Sequence, residues 1–130
     1  MTDKKKALLI EDDKATGQAL THLLEREGLN VIHIRKGEQA LETAMDEKPD
    51  VILLDLKLAG AKDGFSVLGE LKRHPMLASV PVLIVTNYGM LQDVQKGMAG
   101  GAAEYLVKAD HSIHDIVQKA LSYALKRTEK

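Results

Sequence analysis

The stretch Ala7-Leu-Leu-Ile-Glu-Asp-Asp13 decides how this chain is read. Four apolar residues, Ala7 to Ile10, run without interruption into three adjacent acids, Glu11, Asp12 and Asp13. A short continuous apolar run fits a strand buried on both faces, the kind found in parallel sheets. Carboxylates crowded at its end repel one another and raise each other's pKa unless a cation offsets the charge. Asp13, immediately before Lys14, also fits a helix N-cap. The pattern to seek in the rest of the chain is therefore strand, charged end, helix.

That pattern recurs. Further apolar runs lie at Val31–Ile34, Val51–Leu54, Val82–Val85 and Glu104–Val107. Stretches of helical spacing separate them. Lys14–Arg26 sets Ala15, Ala19, Leu20, Leu23 and Leu24 along one face, and Gly28 supplies the stop. Gly37–Met45 carries Ala40, Leu41, Ala44 and Met45 and ends before Pro49. Gly64–Arg73 carries Phe65, Val67, Leu68 and Leu71. A weaker helix is read over Tyr88–Met98, with Met90 and Met98 expected at the core or its edge. Ser112–Lys126 carries Ile113, Ile116, Val117, Ala120, Leu121 and Leu125, with Ser112 as the N-cap. Five strand-helix units in strict alternation imply an α/β fold: a parallel sheet with helices on both faces and right-handed crossovers.

Composition narrows the function. The chain has 130 residues, 45% hydrophobic and 28% charged, which fits one ordinary globular domain with a real core. Aromatics are only 3%, so that core is aliphatic. A formal net charge of −1 gives no electrostatic argument for nucleic acid. With no cysteine there is no disulfide, thiolate zinc site or cysteine nucleophile. No apolar stretch approaches a membrane helix, and the run after the basic start breaks at Glu11, too soon for a signal peptide. A cytoplasmic protein without membrane or nucleic-acid partners is expected. The Lys4-Lys5-Lys6 run reads as a solvated flank. His111 and His114, three apart at a helix start, lack an evident third ligand and read as solvated too.

In open parallel sheets, ligands bind beyond the carboxyl ends of the strands. There the first strand ends in Glu11 and Asp12, the third in Asp55, the fourth in Thr86 and the fifth in Lys108. Carboxylates at a rigid edge suit Mg2+, which takes oxygen ligands and keeps several waters. Asp12 and Asp55 are the best side-chain ligands, and Glu11 is placed to act through water. The same set serves phosphoryl transfer, with Asp55 as nucleophile and Lys108 and Thr86 stabilising the transferred group.

These residues, in this order, resemble the receiver domain of two-component response regulators, over nearly the whole chain. The resemblance implies a flavodoxin-like (βα)5 fold, a five-stranded parallel sheet in the order 2-1-3-4-5. It implies phosphorylation of Asp55 by a sensor histidine kinase or a histidine phosphotransfer protein, with Mg2+ or Mn2+ held by Asp12, Asp55, the Lys57 main-chain carbonyl and Glu11 through water. It makes Thr86 and Tyr105 a switch pair that re-shapes the face of the fourth helix, fifth strand and fifth helix for a downstream protein. Lys57 and Tyr88 stand where the family tunes hydrolysis, and their bulk implies a long-lived phosphoryl group. Only a few residues follow the last helix, so 1–130 is expected to be a single receiver domain without an output domain, a signalling phosphoacceptor rather than an enzyme.

Three positions depart from the family pattern. Ala59 stands where Pro is common, in a loop read as one residue longer before Gly64. Ala109 replaces the proline that usually follows the lysine, and the Lys108–Ala109 bond is expected to be trans, because a cis bond there costs roughly 2.5–4 kcal/mol. Asn87 stands where a small residue is usual; it either adds a hydrogen bond to the phosphoryl group or restricts closure of the loop. The alternatives are a haloacid-dehalogenase-like phosphatase, a flavodoxin-like redox module and a pseudo-receiver that takes no phosphate. The first needs a second acid two residues after the nucleophile, where this chain has Lys57. The second is opposed by the acidic edge and the lack of a phosphate-cradling loop, the third by the presence of Asp12, Asp55, Thr86 and Lys108.

Overall fold

The computed structural model describes residues 4–58, 60 and 62–127. Ala59 lies outside them. Five strands, β1 (Lys6–Ile10), β2 (Asn30–Ile34), β3 (Val51–Leu54), β4 (Val82–Thr86) and β5 (Glu104–Val107), alternate with helices α1 (Lys14–Arg26), α2 (Ala40–Glu47), α3 (Gly64–Arg73), α4 (Leu91–Ala99) and α5 (Ile113–Lys126). All neighbouring strands pair in parallel, in the order β2-β1-β3-β4-β5. The sequence-based topology and the sheet agree.

The central strands β3 and β4 are buried throughout, and β1 from Ala7 onward. Their alternate residues feed two cores. Leu8, Ile10, Ile52, Leu54 and Ile84 pack under α2 and α3 with Ala44, Val67 and Leu71. Ala7, Leu9, Leu53, Leu83 and Val85 pack under α1 and α5 with Leu20, Leu24, Val117 and Ala120. Burial on both faces explains why these strands read as unbroken apolar runs.

The helix ends follow from their caps. Asp13 caps α1, its carboxylate accepting from the Thr16 amide at 2.8 Å. Ser112 caps α5 through the Asp115 amide at 3.0 Å. Gly28, at φ +97°, ends the α1 unit in a conformation that glycine adopts freely.

Several local expectations are corrected. On α1 the buried stripe is Gly17, Leu20 and Leu24, while Ala15 and Ala19 face solvent. On α5 Ala124 is buried and Leu125 exposed. The second helical stretch opens with a 3-10 turn, Gly37–Gln39, before α2 proper. The fourth helix starts at Leu91 rather than Tyr88, because Met90 is extended as its N-cap and Thr86 Oγ1 accepts from the Tyr88 amide at 3.3 Å. Met90 and Met98 are not core residues: they are 62% and 45% exposed. The lysine run is not wholly a flank, since Lys6 opens β1 and its Nζ reaches the Glu47 carboxylate at 3.1 Å. No peptide bond among the described residues is cis, so Lys108–Ala109 is trans as expected, within a 3-10 turn over Lys108–Asp110.

Candidate functional site

Extending the strand register past the last paired residues brings the charged ends together. The Asp55 amide donates to the Ile10 carbonyl at 3.0 Å and the Glu11 amide to the Ile34 carbonyl at 3.1 Å. Both acids therefore leave the sheet at one level, beside each other. Their oxygens and one of Asp12 lie within 4.8 Å of one another.

Lys108, from the end of β5, reaches across this group. Its Nζ lies 2.9 Å from Glu11 Oε1 and 3.2 Å from Asp55 Oδ2. Glu11 Oε2 accepts from the Asp13 amide at 3.1 Å, and Asp55 Oδ1 from the Lys57 amide at 3.2 Å. Glu11, Asp55 and Thr86 are buried, whereas Asp12 is half-exposed. The Asp12 carboxylate makes no hydrogen bond to the described residues, which leaves it available to a ligand.

The electrostatics follow from burial. Burial is the main cause that lifts the Glu11 carboxyl to about 7; the Lys108 hydrogen bond opposes it and the Asp55 charge reinforces it. Burial acts to lower Lys108, but the hydrogen bonds and charges of Glu11 and Asp55 prevail and hold its ammonium above the ordinary value. One ammonium facing three carboxylates leaves an excess of negative charge. Three hard oxygen donors within reach of one another, one of them unengaged, fit Mg2+ or Mn2+.

One open cleft of about 550 Å³ is lined by Glu11, Asp12, Asp55, Lys57, Thr86, Tyr88 and Lys108, with Asn87 beside them. Tyr105 does not line it. Its half-buried ring lies against Gly97, where a Cβ would come 2.9 Å from the ring, and its hydroxyl donates to the Tyr88 carbonyl at 2.6 Å. Burial, with the charges of Asp93 and Asp55 adding to it, pushes the Tyr105 hydroxyl up to about 12. A larger cavity of about 730 Å³ lies at the opposite end of the sheet. In its lining Lys6 pairs with Glu47 and Arg127 with Asp50, and among the described residues it holds no cluster of carboxylates placed to share a metal ion. His111 and His114 are half-buried and exposed, and belong to neither cavity.

Sequence reasoning missed Gly64, which opens α3. A Cβ there would fall 2.4 Å from the Asp55 carbonyl oxygen and 2.4 Å from Leu56 Cα. The helix thus starts directly against the backbone that carries Asp55. It also missed His33 and Arg35 on the β2 side of the acid pair. A glycine directly after Asp63, the acid that caps α3, was the only signal for the first, and nothing periodic marks the others.

A doubly wound parallel sheet with an acid cluster, a lysine and a threonine at its carboxyl edge defines the receiver class of signalling domain. The chain belongs to that family: residues 7–120 match the response regulator receiver domain. It is 38% identical over 101 residues to the DNA-binding dual master transcriptional regulator RpaA of Synechocystis sp., covering 78% of this chain and 42% of that protein. The chain spans about half the length of the curated relatives it matches, 42 to 53%. Among solved structures it resembles a response regulator from Chloroflexus aurantiacus, with a TM-score of 0.85, 25% identity and coverage of 95% of this chain and 100% of that one. It likewise resembles the Mn2+-bound form of response regulator Rcp1, with a TM-score of 0.81, 30% identity and coverage of 96% and 97%. No helix among the described residues is long and apolar enough to cross a membrane.

Proposed function

We propose that the chain is a phosphorylation-dependent switch that accepts a phosphoryl group on Asp55 from a phosphohistidine donor. The donor is a sensor histidine kinase or a histidine phosphotransfer protein. The observation that carries this reading is the meeting of Glu11, Asp12, Asp55, Thr86 and Lys108 in one cleft of a receiver domain.

An Asp55 carboxylate oxygen attacks phosphorus. The new O–P bond forms as the P–N bond to the donor imidazole breaks, and the electron pair leaves on the imidazole nitrogen, which takes up a proton. The Lys57 amide and Lys108 ammonium already donate to the two Asp55 oxygens and fix the carboxylate plane. Asp12, Asp55, the Lys57 carbonyl and, through water, Glu11 would hold Mg2+ or Mn2+, which when bound would supply positive charge to the phosphoryl oxygens. Lys108 and the Thr86 hydroxyl supply the remaining stabilisation.

The switch is read from the main chain of Tyr88. Its amide donates to Thr86 Oγ1 and its carbonyl accepts from the Tyr105 hydroxyl. A phosphoryl group that draws Thr86 toward it pulls on the same loop that Tyr105 holds, so the two residues move together. The α4-β5-α5 face, where Met90, Leu91 and Met98 are exposed, is then re-shaped for a downstream protein. In this reading residues 1–130 act as a single receiver domain through protein contacts or onward transfer, in the cytoplasm, without nucleic acid or membrane.

The test is intact-protein mass after incubation with acetyl phosphate, with and without Mg2+, beside Asp55→Asn. A Mg2+-dependent gain of one phosphoryl group, absent from the variant, is expected. Phosphorylation that persists in Asp55→Asn sinks the assignment.

A further inference from the structure

The acid pair is gripped from β2. His33 Nε2 lies 2.8 Å from the Glu11 carbonyl oxygen. A carbonyl only accepts, so Nε2 carries the proton. Two residues on, just beyond the strand, Arg35 sets Nε and Nη2 at 3.1 and 2.9 Å from the Asp12 carbonyl oxygen. These two carbonyls belong to the peptide groups on either side of Asp12. A peptide group is rigid and planar, so fixing both planes fixes the backbone dihedrals of Asp12 and the direction in which its side chain departs. The Asp12 carboxylate has no hydrogen bond to the described residues, so the main chain alone aims it. The force opposed is the mutual repulsion of three carboxylates whose oxygens lie within 4.8 Å.

Gly17 completes the arrangement. A Cβ there would lie 2.1 Å from His33 Cε1 and 2.4 Å from Nε2, so the ring occupies the space that a side chain on α1 would fill. Glycine weakens a helix interior, and here it leaves room for the imidazole.

We infer that His33 and Arg35 are positioning residues that set Asp12 and Glu11 for a divalent cation, and that Gly17 admits His33 to this task. The inference rests on the reading of the acid cluster as a cation site. Neither residue is itself a ligand; both act through the main-chain carbonyls of Glu11 and Asp12.

The experiment is a Mn2+ titration of the full chain, read by the electron paramagnetic resonance of free aqueous Mn2+, with thermal unfolding in EDTA as the control for folding. His33→Ala and Arg35→Ala should each weaken Mn2+ binding about tenfold, the low end for residues that support metal ligands. Arg35 is exposed, so its variant tests the grip without disturbing the core. His33→Gln keeps an N–H donor and should restore most of the affinity. Gly17→Ala should weaken binding in the wild-type background and add little to His33→Ala, because both remove the same contact. Unchanged Mn2+ affinity in His33→Ala and Arg35→Ala, with tight wild-type binding that Asp12→Asn abolishes, overturns this inference alone. A wild type that takes up no Mn2+ overturns the cation reading and the inference with it.

Discussion

Lys108→Met removes the ammonium that bridges Glu11 and Asp55 and keeps an unbranched apolar stem in its place. Breaking a buried ion pair from one side costs about 3–5 kcal/mol, because the partner stays buried and uncompensated. Glu11 and Asp55 are 1% and 7% exposed, so solvent screens them poorly. Glu11 has an escape. Its folded-state pKa is already about 7, against an ordinary 4.5, and loss of the ammonium raises it further. The folded protein therefore holds a proton that the unfolded chain has released, and stability falls as pH rises from 4.5 to 7 in both proteins. Above 7 the wild type has ionised Glu11 and its decline stops, while the variant continues to lose about 1.4 kcal/mol per pH unit. Urea unfolding in EDTA, followed by far-ultraviolet circular dichroism at pH ~6 and pH ~8, should show a deficit of about 3 kcal/mol that widens by about 1.4 kcal/mol at the higher pH. Saturating Mg2+ should narrow it by supplying the missing positive charge. A deficit below about 1 kcal/mol, the range of an exposed pair, would refute the buried-bridge reasoning. A deficit equal at both pH values would refute the assignment of the proton to Glu11.

Gly64→Ala should cost about 3 kcal/mol or more, since its Cβ would meet backbone rather than a yielding side chain; a thermal midpoint within a degree or two of wild type would contradict the close approach. Ultraviolet titration of the tyrosines should show a component ionising at about 12 that disappears in Tyr105→Phe. Because the folded-state value is raised, the stability contributed by protonated Tyr105 is complete below about 10 and lost toward 12. Lys57→Ala combined with Tyr88→Ala should hasten loss of phosphate from the phosphorylated protein, measured by mass over time; an unchanged lifetime would remove both residues from control of hydrolysis.

The fold was legible because the central strands are buried on both faces, which leaves apolar runs too short for helices and too continuous for exposed strands. The site was legible because the charged residues directly follow those runs, at the edge where parallel strands end. What escaped depends on contacts without a period. Ala15 and Ala19 fit the apolar stripe of α1 as well as Gly17 does, but Gly17 shares the buried face of Leu20 and Leu24, where the ring of His33 takes the space a side chain would need. The start of α4 is set by the hydrogen bond from Tyr88 to Thr86, which no propensity encodes. Met90 and Met98 look like core residues in a helical pattern, yet α4 buries only its Gly97 against Ile84 and Tyr105. His33 and Arg35 act on carbonyl oxygens, groups that every residue carries, so their targets leave no trace in the sequence.

The three carboxylates packed against a single lysine also give the domain a division of labour. The acid edge opposes folding, and the two aliphatic cores on either side of the sheet must outweigh it. Selection for robustness alone would neutralise that edge, and selection for signalling alone would tolerate a weaker core. A chain that retains both is held between two pressures, and substitutions that make it sturdier at the cleft are the ones that would silence it.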